Sequence, residues 1–280
     1  MNAAEQARQA ENFRDMHRGP ALLLLPNAWD AISARIFAAA GFSAIATTSG
    51  GVSWALGYAD GEAAPWPEVV AATARIARVV SIPVTADIEA GFGDSPEAVG
   101  KSVAEIIRAG AVGVNLEDGT PRGAAPIRTI ADAAQRIAAA REAARAAAVP
   151  IVINARTDLY LRSIGDPETR FDETVERGKA YLAAGADCFY PIGLRDTATI
   201  ARLVKALASP ININVRAGSP SVAELEALGI ARASTASAVA LMAASTIRRI
   251  AEALKASGRF DALNPAMTQA DTQRLFTGSL

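Results

Sequence analysis

The feature that most constrains this chain is a rhythm. Apolar runs of three to six residues alternate with longer stretches of helical spacing, at Leu22-Leu25, Ala44-Thr47, Pro83-Ile88, Gly113-Leu116, Ile151-Ala155, Cys188-Pro191, Ile211-Val215 and Arg232-Ser234. Runs that are apolar on both faces read as strands buried from both sides, and helices between them read as crossovers, so the strands are predicted to lie parallel. Glycines punctuate the handover from helix to strand at Gly41, Gly110, Gly185 and Gly229, where a left-handed residue ends a helix. Helix starts are legible as well. Ser95 followed by Pro96, and Asp166 followed by Pro167, each read as a cap with a first-turn proline, while Ser221-Val222-Ala223-Glu224 reads as a capping box.

Eight such units in 280 residues argue for one (β/α)8 barrel over residues 1–280, with a helix in the first 19 residues and a helical arm at the C-terminus. A doubly wound open sheet is the alternative, because Arg232-Ser234 is the weakest of the eight runs. The alanine-rich segment 236–256 has an apolar side broad enough to pack on another subunit.

Several function classes drop out on composition. The formal net charge is -1 and no basic cluster appears, so no nucleic-acid partner is expected. Clean apolar runs such as Ala21-Leu25 are far too short to span a bilayer, and the first 19 residues lack the hydrophobic core of a secretory signal. A single cysteine, Cys188, cannot form an intramolecular disulfide, which suits a cytoplasmic protein. The one histidine, His17, lies in the polar N-terminal segment and is expected to be a solvated helix residue.

In a β/α barrel the chemistry sits where strands end, so those ends are informative. The apolar segment 79–84 reads as the start of a buried strand that finishes in Asp87 and Glu89, and strand alternation would project both acids to one side. Pro26-Asn27-Ala28-Trp29-Asp30 closes the first run. Thr47-Thr48-Ser49-Gly50-Gly51 closes the second, its small residues letting backbone amides approach a carboxylate or phosphate. The loop beyond it carries Asp60. Later ends supply Glu117, Arg156, Asn212 and Asn214. Asp60, Asp87, Glu89 and Glu117 would repel one another at neutral pH if brought together, and a hard divalent cation such as Mg²⁺ or Mn²⁺ would resolve the conflict. Arg156 would then offer a fixed fork to a substrate carboxylate or phosphoryl group.

Absences discriminate too. Lys101, Lys179, Lys205 and Lys255 all fall inside predicted helices, so a Schiff-base mechanism has no strand-end lysine to use. No G-x-G-x-x-G follows a strand, which leaves a dinucleotide cofactor unsupported.

These motifs together resemble the isocitrate lyase and phosphoenolpyruvate mutase superfamily. The resemblance rests on Pro26-Asn27-Ala28-Trp29-Asp30, Ser49-Gly50-Gly51, Leu56-Gly57-Tyr58-Ala59-Asp60, Asp87-Ile88-Glu89-Ala90-Gly91-Phe92-Gly93, Asn115-Leu116-Glu117-Asp118 and Asn154-Ala155-Arg156-Thr157-Asp158. It implies a barrel whose last helix is exchanged between subunits of a dimer or tetramer. It also implies that Asp87 binds Mg²⁺ directly, that Asp60, Glu89 and Glu117 hold the ion's waters, that Ser49, Gly50 and Gly51 grip the substrate's carboxylate and oxo oxygen, and that Arg156 holds its other end. Asn212 and Asn214 match positions that touch the distal carboxylate in lyase members, although Val215-Arg216 departs from the usual flanking pattern.

A larger departure bears on the reaction. Isocitrate and methylisocitrate lyases carry a Lys-[Lys/Arg]-Cys-Gly-His signature after strand four, whereas this chain has Gly119-Thr120-Pro121-Arg122-Gly123-Ala124-Ala125-Pro126-Ile127-Arg128 there. Cys188 belongs to strand six and reads as a buried structural thiol. The expectation is therefore a Mg²⁺-dependent lyase that cleaves or forms the C–C bond beside the carbonyl of a small 2-oxo or 2-hydroxy carboxylic acid through a metal-stabilised enolate. C–P chemistry of the phosphonopyruvate type and a non-catalytic metabolite-binding barrel are the alternatives.

Overall fold

The computed structural model describes residues 2–120 and 125–278. Its first half runs α1 (Ala3–Met16), β1 (Leu23–Leu25), β2 (Asn27–Ala28), α2 (Ala31–Ala39), β3 (Ile45–Thr47), α3 (Ser49–Leu56), α4 (Trp66–Arg78), β4 (Val84–Asp87), α5 (Pro96–Arg108) and β5 (Gly113–Glu117). There follow α6 (Ile130–Ala146), β6 (Val152–Thr157), α7 (Arg170–Ala183), β7 (Cys188–Pro191), α8 (Thr197–Leu207), β8 (Asn212–Asn214), α9 (Val222–Ala227), β9 (Arg232–Ser234), α10 (Ala238–Ser257) and α11 (Gln269–Thr277).

All strand pairs are parallel: β2 to β7 form one consecutive sheet, and β1-β9-β8 form a second. The two are one barrel. A parallel bridge from Phe189 to Ile211 joins β7 to β8. β1 and β2 are a single strand interrupted at Pro26, which has no N–H to give the ladder but whose carbonyl accepts from Ala46 N at 3.0 Å. All eight expected strands are present, including the short one at Arg232–Ser234.

The handover glycines take left-handed conformations as expected, at φ 88°, 99°, 110° and 80° for Gly41, Gly110, Gly185 and Gly229. Ser95 caps α5 by accepting from Ala98 N, and Ser221 with Glu224 forms the capping box of α9. Two local expectations need correction. Residue 79 ends α4 and the strand begins only at Val84, because the apolar face of α4 runs on to the helix's last turn. Asp166 turns the chain by accepting from Glu168 N, and α7 starts four residues later, at Arg170.

The barrel's floor, where the strands begin, is closed by α1. Gln6, Ala10, Phe13 and His17 lie on one helical face and are buried. Phe13 reaches the inward side of Gly113, where an added Cβ would come within 2.9 Å of its ring. His17 stacks edge-on against Phe13 with ring centroids 4.8 Å apart and is only 3% exposed. The expectation of a solvated histidine is thus overturned: the spacing 6, 10, 13, 17 puts His17 on the buried stripe of an otherwise polar helix. Among the described residues no helix is long and apolar enough to cross a membrane. At the other end of the chain α11 lies against α2, where Arg35 donates to the carbonyl of Gly278 at 3.0 Å. Of α10 only Ala240 is buried.

Candidate active site

β4 ends at Asp87, and the turn that follows is shaped by backbone that side-chain residues rarely adopt. Glu89 and Phe92 have φ of 50° and 49°, and Gly91 has φ 99°. Gly91 is obligatory there, since a Cβ would also meet both methyls of Val99 at 2.8 Å. Arg136 on α6 clamps the far side of the turn by donating to the carbonyls of Gly93 and Asp94 at 2.7 and 2.8 Å. Glu89 therefore lies beyond the strand, and alternation is not what brings it near Asp87. The turn does so: Glu89 Oε2 accepts from Glu62 N at 2.8 Å, and Glu62 Oε1 accepts from Phe92 N at 2.7 Å.

Asp87 sits among hydrogen-bond donors. Its Oδ2 accepts from Ser49 N at 3.1 Å, the first amide of α3, and its Oδ1 accepts from Asn115 Nδ2 at 2.8 Å. Asn154 Nδ2 in turn donates to Asn115 Oδ1 at 2.8 Å, so three successive strands hand one polar chain inward. Thr48, the residue capping α3, makes no side-chain cap, its hydroxyl being shared with Ser237 at 2.7 Å. The first-turn amides of Gly50 and Gly51 are consequently uncapped. Gly51 also has no room for a side chain, with Thr48 and Trp29 at 2.7 and 2.8 Å from a built Cβ.

A cavity of about 180 Å³ opens at this end of the barrel. Ser49, Asp60, Asp87, Arg156 and Asn212 line it, whereas Gly50, Gly51, Glu89, Glu117 and Asn214 do not. Asn214 is turned aside, its Oδ1 accepting from Gly193 N at 3.0 Å. Asn212 exchanges hydrogen bonds with Ser234 at 3.2 and 3.3 Å.

The electrostatics divide the acids into two kinds. Burial, then Asp87, then Asp60 push the Glu89 carboxyl up to about 8. Burial and then Asp87 raise Asp60 as well, against a hydrogen bond from Ser49 and the charge of Arg156. Glu117 is different, because Arg156 Nη1 lies 2.6 Å from its Oε2, and Arg156 Nε lies 2.7 Å from Asp158 Oδ1. Burial opposes charge on Arg156, but Glu117, Asp158 and Asp87 outweigh it and lift its pKa above the usual arginine range. Burial likewise raises Glu117, against the pull of Arg156. Arg156 is thus already held by two carboxylates.

Among the described residues no group of three His, Cys, Asp or Glu side chains is arranged to hold a metal ion directly. The expected convergence of four acids is therefore narrower: Asp87 faces the cavity, Asp60 and Glu89 press on it electrostatically, and Glu117 is spent on arginine. Such a donor set still fits a hard cation that keeps most of its waters, with one carboxylate on the ion and others beyond them. The raised pKa values of Asp60 and Glu89, both pushed up by burial and then by Asp87, and neither in an ion pair with arginine or lysine among the described residues, are the observation that favours it.

Sequence reasoning missed the supports. Asp118 accepts from Tyr181 Oη at 2.6 Å and from Arg177 Nη1 at 3.2 Å, all three buried, and Arg177 also donates to the carbonyl of Arg128. This network pins the loop after β5, whose ends pair at Gly119 and Ile127. Arg122, in the segment that stands where the lyases carry their signature, lies outside the described residues. Asn115 and Asn154 were visible in the motifs but no role was read for them, and Arg232 was read only as part of a strand. Cys188 is buried and its thiol is pushed up to about 12 by burial, as a structural thiol would be. All four lysines are on helices, Lys101, Lys179, Lys205 and Lys255 on α5, α7, α8 and α10.

The profile described as phosphoenolpyruvate phosphomutase matches residues 13–255. The chain belongs to that family. It lies within the wider isocitrate lyase and phosphoenolpyruvate mutase superfamily, whose barrels its fold reproduces. A crystal structure from Burkholderia cenocepacia J2315, of a protein assigned as a lyase or mutase, is 37% identical and superposes with a TM-score of 0.91 over 98% of both chains. The 2-methylisocitrate lyase of Escherichia coli (strain K12) is 33% identical over 182 residues, 63% of this chain and 59% of that protein. Oxaloacetate acetylhydrolase, solved in complex with its product oxalate, is 27% identical with a TM-score of 0.85 over 95% of this chain and 93% of that one. The family's chemistry is thus that of lyases and mutases.

Proposed function

We propose that this protein is a Mg²⁺-dependent lyase that breaks or forms the C–C bond next to the carbonyl of a small 2-oxo or 2-hydroxy carboxylic acid. The observation that carries the reading is the grouping of Asp87, Asp60 and Glu89, acids in no ion pair among the described residues, at the start of α3, whose first amide, Ser49 N, donates to Asp87. Asp87 would hold the ion, with Asp60 and Glu89 taking hydrogen bonds from its waters. A divalent cation held there would supply a Lewis acid able to stabilise negative charge on the substrate's oxo oxygen.

The chain's own groups do the rest. Ser49, which lines the cavity, would orient the substrate's carboxylate at the helix N-terminus, with the first-turn amides of Gly50 and Gly51 behind it. Arg156, its fork fixed by Glu117 and Asp158, would donate to the substrate from a position already set. The loop of residues 119–128 has neither the cysteine nor the histidine of the isocitrate and methylisocitrate lyases, which supports a substrate other than theirs.

A homo-oligomer, dimer or tetramer, is part of the same proposal. Leu241, Met242 and Ile247 on α10 are 51%, 61% and 67% exposed, apolar side chains around the helix that a second copy would cover. Exchange of the C-terminal helices would do so.

Product release is the decisive assay, run on oxaloacetate, dimethylmalate, methylisocitrate and phosphonopyruvate with Mg²⁺ or with chelator. Turnover of a C–C substrate is expected only with Mg²⁺, and oxalate with Mg²⁺ should raise the melting temperature of the wild type but not of Asp87→Ala. Metal-independent turnover, or an Asp87→Ala protein that behaves like wild type, would overturn the proposal.

A further inference from the structure

The cavity reaches deeper than the acids at its rim. Among the described residues that line it the cations are two, Arg156 and Arg232. Arg156 is bound to Glu117 and Asp158, so its charge is matched. Arg232 is not matched. It begins β9, is 2% exposed, and has no carboxylate within ion-pairing distance among the described residues. Its Nε has no hydrogen-bond partner. Among the described residues its guanidinium makes one hydrogen bond, from Nη1 to His17 Nε2 at 3.4 Å.

That histidine cannot supply a counter-charge. His17 Nδ1 lies 2.8 Å from the carbonyl of Phe13, which can only accept, so Nδ1 carries the proton and Nε2 is a lone pair facing the guanidinium. Burial and then Arg232 lower the His17 pKa to about 3, so the ring is neutral across the physiological range. Around Arg232 the wall is polar: Thr85 Oγ1 and Asn154 Oδ1 are buried without partners, and Asn212 and Ser234 face each other one strand apart. A buried guanidinium with no ion-paired anion is costly. The same charge becomes favourable when an anion enters the cavity.

We propose that Arg232 is the receptor for the distal carboxylate of a short dicarboxylate, whose 2-oxo acid end sits at Ser49 and Asp87. This rests on the reading above and narrows it: the preferred substrate is a dicarboxylic 2-oxo acid, and a monocarboxylate of the pyruvate type leaves Arg232 unmatched. Arg156 fixes the reacting end, Arg232 the remote one.

Titration calorimetry at saturating Mg²⁺ tests the idea with three probes. Oxalate reports on the rim alone, while 3,3-difluorooxaloacetate and its 4-carboxamide differ only in the distal charge. The wild type should bind the dicarboxylate about tenfold more tightly than the amide, the scale of one charge-assisted hydrogen bond. In Arg232→Gln that ratio should fall to about one while oxalate affinity stays within about twofold, and Arg232→Lys should keep part of the preference. A wild-type ratio below about threefold, or an unchanged ratio in an Arg232→Gln protein that still binds oxalate, would overturn the assignment. Should Arg232→Gln fail to fold, the wild-type ratio decides alone. Oxalate failing to bind the wild type would instead sink the metal and 2-oxo acid reading, so the two failures are told apart.

Discussion

Glu89 shows how a single carboxyl records its surroundings. Its pKa of about 8 in the folded chain lies well above the 4.5 of an exposed glutamate, because burial and two neighbouring acids disfavour its charge. Between those values the folded state keeps a proton that the unfolded chain has released, so stability must fall as pH rises through that window. Melting temperature in metal-free buffer should therefore decline from about pH 5 to pH 8, and Glu89→Gln should flatten the decline. A wild-type profile no steeper than that of the variant would show that Glu89 is ionised in the fold. The position of this acid could not be read from strand alternation, since a left-handed turn carries it back towards Glu62.

At the scale of elements, the turn after β4 and the loop after β5 are each held by a buried arginine from a neighbouring helix. Arg136 on α6 holds the carbonyls of Gly93 and Asp94, and Arg177 on α7 holds Asp118 and the carbonyl of Arg128. Arg177→Met would leave Asp118 buried without its arginine partner. A loss of about 3–5 kcal/mol is expected in urea unfolding, the usual cost of removing one partner of a buried pair. A change under about 1 kcal/mol would mean that the pair carries no more than a surface bridge. The sequence offered a hint in Asp118, which stands directly after Glu117, yet nothing in it paired that acid with an arginine 59 residues away.

For the molecule as a whole, α10 is a twenty-residue helix with one buried residue, an arrangement that calls for a partner surface. Light scattering after size exclusion should give a mass at least twice that of the 28.9 kDa chain. Leu241→Glu with Ile247→Glu should reduce it, because two charges would then face an apolar contact. A monomer in both proteins would leave the exposed face of α10 without the proposed occupant. The barrel itself needs no such partner to be recognised. Its eight strands, glycine handovers and strand-end polar residues are periodic and local, so they are visible in one dimension.

What the sequence determined by itself was the alternation of strand and helix, the parallel barrel it implies, and the set of acids and small residues at the strand ends. These follow from local hydrophobic spacing and from conformations that only certain residues adopt. Tertiary structure alone decided which charges are matched. It gave Glu117 and Asp158 to Arg156, left Asp60, Asp87 and Glu89 to one another, buried His17 under the barrel and left Arg232 without an ion pair among the described residues. Charge balance is settled by distances of a few ångströms between residues far apart in the chain, and spacing along the sequence carries no record of them.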